Sequence, residues 1–349
     1  MKKKAISDQR SAIRGEAGTA KSRGVVPSRS EPLVPNPRPS LPVDLSVTFA
    51  GIRMQNPVLT ASGTFGYAQE FEPYLDLNRL GALVVKTITR LPRPGNPAPR
   101  IVETPAGMLN AIGLQNVGID AFIREKLPFL RTLAPPLIVN VAGESVEDFS
   151  ELTKRIGDQE GVAGIELNIS CPNVAGGLDF STDPKLAHQV VKAAREATRL
   201  PIIPKLSPNV TDIRPIARAV EEAGADGISL INTLVGMSID VRTRQPKIGN
   251  VTGGLSGPAI RPVAIRMVWQ VAQAVRLPIL GMGGIVTGED AVEFLLAGAT
   301  AVAVGTANFI DPTSPVKVIQ GLYDYCAANG VAEVRQLVGG LEIPPRPGQ

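Results

Sequence analysis

Short apolar runs recur along most of this chain, at 57–61, 82–86, 137–141, 164–168, 201–205, 227–231, 278–281 and 301–304. Between them lie stretches whose apolar residues fall at helical spacing: 118–131, 145–156, 184–198, 212–223, 260–275, 288–297 and 314–328. Short runs with little polar alternation are what strands covered on both faces look like. Strands that alternate with helices predict parallel pairing through crossover helices. Eight such runs predict an α/β fold, the (β/α)8 TIM barrel, with an open doubly wound sheet as the alternative. Ahead of the first run, Ser46–Phe49 and Ile52–Met54 flank Ala50-Gly51 and predict an N-terminal β-hairpin. Two stretches, 90–117 after strand two and 234–258 after strand six, fit neither pattern and are read as long loops. In a barrel such loops carry the chemistry.

Residues 1–42 lack either periodicity and end in a proline-rich stretch, which predicts a disordered extension. The first 40 residues hold nine Lys and Arg against three Asp and Glu, so the formal charge of +4 becomes about −2 for the remainder. The basic character therefore belongs to the extension, and nucleic-acid binding by the body is not implied. No apolar core follows Met1-Lys2-Lys3-Lys4, which argues against a secretory signal. A solvated tail is the reading, with a transit peptide as its alternative. No run reaches the length of a membrane span. Residues 43–335 are read as one barrel and 336–349 as a C-terminal tail, in a cytoplasmic protein. Aromatics make up only 4% of the chain while hydrophobic residues make up 44%, so the core must be built from aliphatics. Two cysteines exclude a disulfide scaffold and are too few to hold an iron–sulfur cluster.

A barrel gathers its chemistry where the strands end. Read there, the eight runs close on Ala61-Ser62-Gly63, Lys86-Thr87, Asn140, Asn168, Lys205, Asn232-Thr233, Gly283-Gly284 and Gly305-Thr306. One polar residue at a strand end merely leaves the core; a polar or bare residue at every end indicates a site. Glycines after strands seven and eight let backbone N–H groups approach an anion, which suits a phosphorylated ligand such as flavin mononucleotide. No Gly-x-Gly-x-x-Gly opens a helix after a strand, so a Rossmann dinucleotide site is not supported. Lys86 and Lys205 are either snorkelling surface lysines or cations beside a flavin's pyrimidine edge. Asn110, Asn168, Asn173 and Asn232 are either turn residues or donors and acceptors for a small planar ring of amides and carbonyls. Cys171, in Asn168-Ile169-Ser170-Cys171-Pro172-Asn173-Val174-Ala175, is either a buried thiol or a reactive one, as base or nucleophile. The single histidine, His188, falls on a predicted helix, which argues against a Cys–His pair. Cys326 reads as packing on the last helix.

Five segments together resemble the dihydroorotate dehydrogenases over roughly 44–330: 56–66 (Asn-Pro-Val-Leu-Thr-Ala-Ser-Gly-Thr-Phe-Gly), 110–116 (Asn-Ala-Ile-Gly-Leu-Gln-Asn), 168–173, 205–209 (Lys-Leu-Ser-Pro-Asn) and 231–233 (Ile-Asn-Thr). A cysteine at 171 is similar to the class 1 enzymes, and 63–66 and 232–237 look like subclass 1B. The resemblance implies oxidation of dihydroorotate to orotate in pyrimidine biosynthesis, with FMN as cofactor, Cys171 as base, and hydride passing from substrate C6 to flavin N5. It implies FMN contacts from Ser62, Lys86, Thr87, Asn140, Asn168, Lys205, Ile231, Gly257, Gly283, Gly284, Gly305 and Thr306. It implies substrate contacts from Lys86, Asn110, Ala111, Ile112, Gly113, Leu114, Asn168, Asn232 and Thr233, to which the amide reading adds Asn173. It also implies an electron-transfer partner subunit carrying FAD and a [2Fe–2S] cluster, passing electrons to NAD⁺, around a homodimer core. Val117 and Ala175 stand where proline and lysine are common in the family.

Three rivals are kept. A reductase like the catalytic domain of dihydropyrimidine dehydrogenase would act on uracil or thymine, but its loop carries a histidine after Cys-Pro where this chain has Asn173. A class 1A-like enzyme would use another acceptor. A non-catalytic phosphate-ligand binder would keep the fold without the reaction.

Overall fold

A computed structural model describes residues 42–170 and 180–344. It opens with the antiparallel hairpin β1 (Val47–Phe49) and β2 (Ile52–Met54), whose buried-exposed-buried alternation leaves one face for the core. The strands that follow are β3 (Val58–Thr60), β4 (Leu83–Val84), β5 (Ile101–Thr104), β6 (Gly107–Asn110), β7 (Leu137–Val141), β8 (Val162–Asn168), β9 (Ile202–Leu206) and β10 (Ile228–Leu230). They continue with β11 (Leu234–Met237), β12 (Ile239–Asp240), β13 (Gln245–Pro246), β14 (Thr252–Ser256), β15 (Ile279–Met282) and β16 (Ala301–Val304).

Eight of these form one parallel sheet in the order β3-β16-β15-β10-β9-β8-β7-β4. A parallel bridge between Leu59 and Ala82 joins the first strand to the last, and the sheet becomes a barrel. The predicted runs at 137–141 and 301–304 coincide with β7 and β16, and the other six lie within two residues of a strand. The reason is burial: β7, β9, β10, β15 and β16 have no exposed residue, and strands covered on both faces carry little polar alternation.

The outer ring is α1 (Gly118–Ala121), a π-helical turn (Phe122–Lys126) and α2 (Leu127–Leu130), then α3 (Val146–Gly157), α4 (Pro184–Ala197) and α5 (Arg214–Glu222). It is completed by α6 (Arg261–Ala272), α7 (Gly288–Leu296), α8 (Ala307–Ile310) and α9 (Ser314–Asn329). Local chemistry sets their starts. Ser145 accepts from the Asp148 amide to cap α3, Asp183 accepts from Lys185 and Leu186 to cap α4, and Thr287 with Asp290 forms a capping box on α7. After residue 335 the chain runs on along α7, with the Gly339 and Leu341 amides donating to the Leu295 and Leu296 carbonyls.

The stretches read as loops at 90–117 and 234–258 are in part strand. They meet in a four-stranded antiparallel sheet, β11-β14-β6-β5, with a small β12-β13 hairpin beside it. The pattern hid this sheet because it is only half covered: β5 and β11 alternate exposed and partly buried, and β14 is the glycine-containing Thr-Gly-Gly-Leu-Ser. Its pairing of Gly254 with Asn110 joins segments far apart in sequence, which no local window detects. Among the described residues no helix is long and apolar enough to cross a membrane.

Candidate active site

Parallel strands place all eight C-terminal ends at one rim. Hydrogen bonds then lock neighbouring ends together: Ala61 N to Val304 O (3.0 Å), Ile88 N to Asn140 O (2.9 Å), Asn232 N to Leu206 O (2.9 Å) and Ile231 N to Met282 O (3.1 Å). The Leu230–Ile231 peptide, at the end of β10, is cis.

Three groups of polar residues result. The first is cationic. Lys205 is only 6% exposed, yet no ion pair or side-chain hydrogen bond reaches its ammonium among the described residues. Lys86, half-buried, is tethered through its backbone to Gly66 O at 2.8 Å. Burial pushes the Lys86 ammonium below the usual lysine range, while the neighbouring Glu70 works in the other direction. The second group is made of amides. Asn232 donates from Nδ2 to Asn168 Oδ1 (3.1 Å) and accepts at Oδ1 from the Thr233 amide (2.8 Å), so both carboxamides are oriented. Asn110 donates to Gly254 O (3.3 Å). A Cβ on Gly254 would stand 2.0 Å from Thr233 Oγ1, which brings β14 and Thr233 together.

The third group is a glycine cradle. Gly257, Gly283 and Gly284 all have positive φ, at 92°, 130° and 81°, which disfavours any residue with a Cβ. A Cβ on Gly284 would lie 2.8 Å from Gly257 O. Thr306 closes this side by donating to Ser256 Oγ (2.7 Å). Gly305 differs from the others: a Cβ there would meet nothing nearer than Ala61 Cβ, at 3.6 Å.

Most of the sequence-chosen residues thus converge. Ser62, Thr87, Asn140, Asn168, Lys205 and Ile231 are buried at or just below the rim, and Asn232, Thr233, Gly283, Gly284, Gly305 and Thr306 are on it. Asn110 reaches this end through the added sheet. Ala111 and Ile112 bond instead to the 96–100 segment, through Arg100 O and the Asn96 amide, and Gly113 and Leu114 adopt positive φ beyond them. The turn is tied by Asn116, which accepts from the Thr89 and Gly118 amides and donates to Leu114 O. Val117 precedes α1 with helical backbone angles. Cys171, Asn173 and Ala175 lie outside the described residues. His188 is half-buried on α4 and Cys326 is fully buried on α9, where burial raises its thiol.

Reading by strand ends missed Glu166, a buried acid in the middle of β8 that accepts from Asn140 and Ser229. It also missed Asn209, which donates to Thr233 O and accepts from the Val235 amide, holding the loop after β10. Glu166 left a signal, an acid inside an apolar run; Asn209 left only its place at the end of the 205–209 segment, with nothing to show what it bonds.

The family model for dihydroorotate dehydrogenase matches residues 44–325. The chain belongs to the dihydroorotate dehydrogenase family. It is 60% identical over 299 residues to the catalytic subunit of dihydroorotate dehydrogenase B (NAD(+)) of Geotalea uraniireducens, covering 85% of this chain and 98% of that one. The protein of the same name from Geobacter sulfurreducens is 59% identical over 301 residues, covering 86% and 99%. Among solved structures, DHODH from Eimeria tenella in complex with ferulenol superposes with a TM-score of 0.72 at 24% identity, over 85% of this chain and 88% of that chain. That likeness carries the fold alone. The groups at the rim suit FMN, the cofactor of this family. Gly257, Gly283 and Gly284 leave bare backbone for a phosphate, and among the described residues neither Lys86 nor Lys205 forms an ion pair and the buried Asn140 Oδ1 has no hydrogen-bond partner.

Proposed function

We propose that this chain oxidises dihydroorotate to orotate as the catalytic subunit of an NAD⁺-linked dihydroorotate dehydrogenase, with residues 43–335 as its catalytic unit. The observation that carries the reading is the rim itself: oriented amides, unpaired lysines and a glycine cradle on one barrel end, in a chain so close to the curated enzymes. FMN supplies the redox chemistry when bound, accepting a hydride from the substrate.

The chain's own residues do the rest. Gly283, Gly284, Gly305 and Thr306, with Gly257 packed behind them, would hold the phosphate through backbone N–H groups. Lys205 and Lys86 would hold the ring's edge, where a cation would favour charge gained on reduction. Ser62, Thr87, Asn140, Asn168 and Ile231 complete the cofactor's side of the site. Asn168 and Asn232, already linked to each other, face the substrate with Asn110, Asn173, Thr233 and the 111–114 turn, and fix the ring by its amides and carbonyls. Cys171 is the base that takes the proton from substrate C5. A free cysteine, with an ordinary pKa of about 8.5, has only a small thiolate fraction at neutral pH, so nearby cations are needed to favour the thiolate.

The partner is an electron-transfer subunit with FAD and a [2Fe–2S] cluster, around a homodimer of this chain, in the cytoplasm. Two features support it: the relatives are named as catalytic subunits of an NAD(+) enzyme, and two cysteines cannot hold the cluster here.

Anaerobic addition of dihydroorotate to the purified yellow protein tests the activity. Bleaching of the flavin band by dihydroorotate and not by dihydrouracil is expected. Bleaching by dihydrouracil instead would transfer the assignment to a pyrimidine reductase. The Cys171→Ser protein should keep its FMN and lose most of the bleaching rate at neutral pH; undiminished bleaching would remove Cys171 as the base.

A further inference from the structure

Asn140, read as an FMN contact, is held by a buried acid to which no role has been given. Glu166 sits in the middle of β8, 1% exposed, between Ile165 and Leu167. Both of its oxygens are occupied: Oε2 accepts from Asn140 Nδ2 at 2.5 Å, and Oε1 accepts from Ser229 Oγ at 2.7 Å. Asn140 and Ser229 are themselves 0% exposed. Among the described residues no Lys, Arg or His forms an ion pair with it. A carboxylate buried without a cation is costly, and an aliphatic residue would suit the strand better. The hydrogen bonds from Asn140 and Ser229 offset part of that cost, and the first of them has a consequence for Asn140. A carboxylate only accepts, whereas a carboxamide has one accepting end and one donating end. Asn140 must therefore turn Nδ2 toward Glu166, and Oδ1 is left buried with no hydrogen-bond partner among the described residues. An unpaired buried acceptor is a group awaiting a donor.

We propose that Glu166 is a positioning residue: it holds the Asn140 carboxamide in one orientation so that Oδ1 meets an N–H of the bound flavin ring, while Ser229 steadies the carboxylate. The proposal rests on the reading of this barrel end as the FMN site. A flipped amide would put donor against donor.

Titration of apoprotein with FMN, followed by quenching of flavin fluorescence, tests it, with thermal melting of each apoprotein recorded beside it. Glu166→Leu removes the acceptor and should weaken FMN binding about tenfold, as should Asn140→Ala. Because Glu166 acts through Asn140, the double variant should bind no more weakly than the weaker single. Glu166→Gln keeps the shape but lets the amide adopt either orientation, so about threefold weaker binding is expected, and this variant carries the test if Glu166→Leu does not fold. Wild-type affinity in Glu166→Gln, or losses that multiply in the double variant, would overturn the proposal. Wild-type apoprotein that takes up no FMN overturns the FMN reading as well; uptake that the Glu166 variants leave unchanged overturns the positioning role alone.

Discussion

Lys86 shows what a functional residue costs its own fold. Burial lowers its pKa, with Glu70 opposing, so the unfolded chain binds this proton more tightly than the folded one. Stability linked to Lys86 therefore rises with pH, through the window just below the ordinary value of 10.5, where the folded state has lost the proton and the unfolded state has not. Lys86→Met should remove that slope. Apoprotein melts at alkaline pH should be flatter with pH than wild type, and no less stable at pH 8. The same substitution should slow flavin reduction by dihydroorotate about a hundredfold, the usual loss when one preorganised charged donor is removed. A variant that melts earlier at pH 8 and reduces at the wild-type rate would show Lys86 to be structural. Legibility at this scale was uneven for a physical reason. Lys86, Lys205, Asn168 and Asn232 announce themselves as polar residues where an apolar run stops. Glu166 lies inside a run, and its partners stand 26 and 63 residues away, so only folding brings its role into view.

Among elements, the parallel strands were legible because each buries nearly all of itself, and their helices because each buries one apolar face at helical spacing. The antiparallel sheet β11-β14-β6-β5 was not, because it buries little and joins two distant excursions. Yet that sheet carries Asn110 to the site and backs Thr233. Gly254 is the tight point, since an added Cβ would fall 2.0 Å from Thr233 Oγ1 and 2.5 Å from its Cβ. Gly254→Ala must displace Thr233 and, through its bonded neighbour Asn232, the amide pair. KM for dihydroorotate should rise about tenfold with FMN content unchanged, in line with the sensitivity of catalytic geometry to small displacements. Steady-state kinetics with the flavin spectrum recorded in parallel reads both. The start of α9 supplies a separate test. Asp311 accepts from Lys317 Nζ and from the Thr313 hydroxyl and amide, which hold its carboxyl down at about 2. A lowered carboxyl pKa stabilises the fold above the unfolded value of 3.8, and that contribution fades as pH falls toward about 2. Asp311→Asn should therefore lose stability relative to wild type at pH 5, and the difference should shrink in melts taken between pH 4 and 2.

For the whole molecule, closure of the barrel converts scattered residues into one site, and the same closure links cofactor binding to global stability. The last contact in the ring is the Leu59–Ala82 bridge between β3 and β4. The groups read as FMN ligands come from every one of the eight strands or the turns that follow them, so an unfolded chain offers no such site. FMN then stabilises only the folded state, by RT ln(1 + [L]/Kd), which is about 2.7 kcal/mol at a hundredfold excess over Kd. For a chain of this size that corresponds to a rise in Tm of roughly 4 °C, since about 1 kcal/mol shifts Tm by about 2 °C or less beyond 250 residues. Stripping FMN and restoring it in steps should move Tm along that logarithmic curve. The Glu166→Gln protein should trace the same curve displaced to higher FMN by its weaker affinity, whereas a variant damaged only in folding would start lower and run parallel. Free FMN that leaves the melt unchanged at every concentration would show that the cradle of Gly257, Gly283 and Gly284 does not hold it.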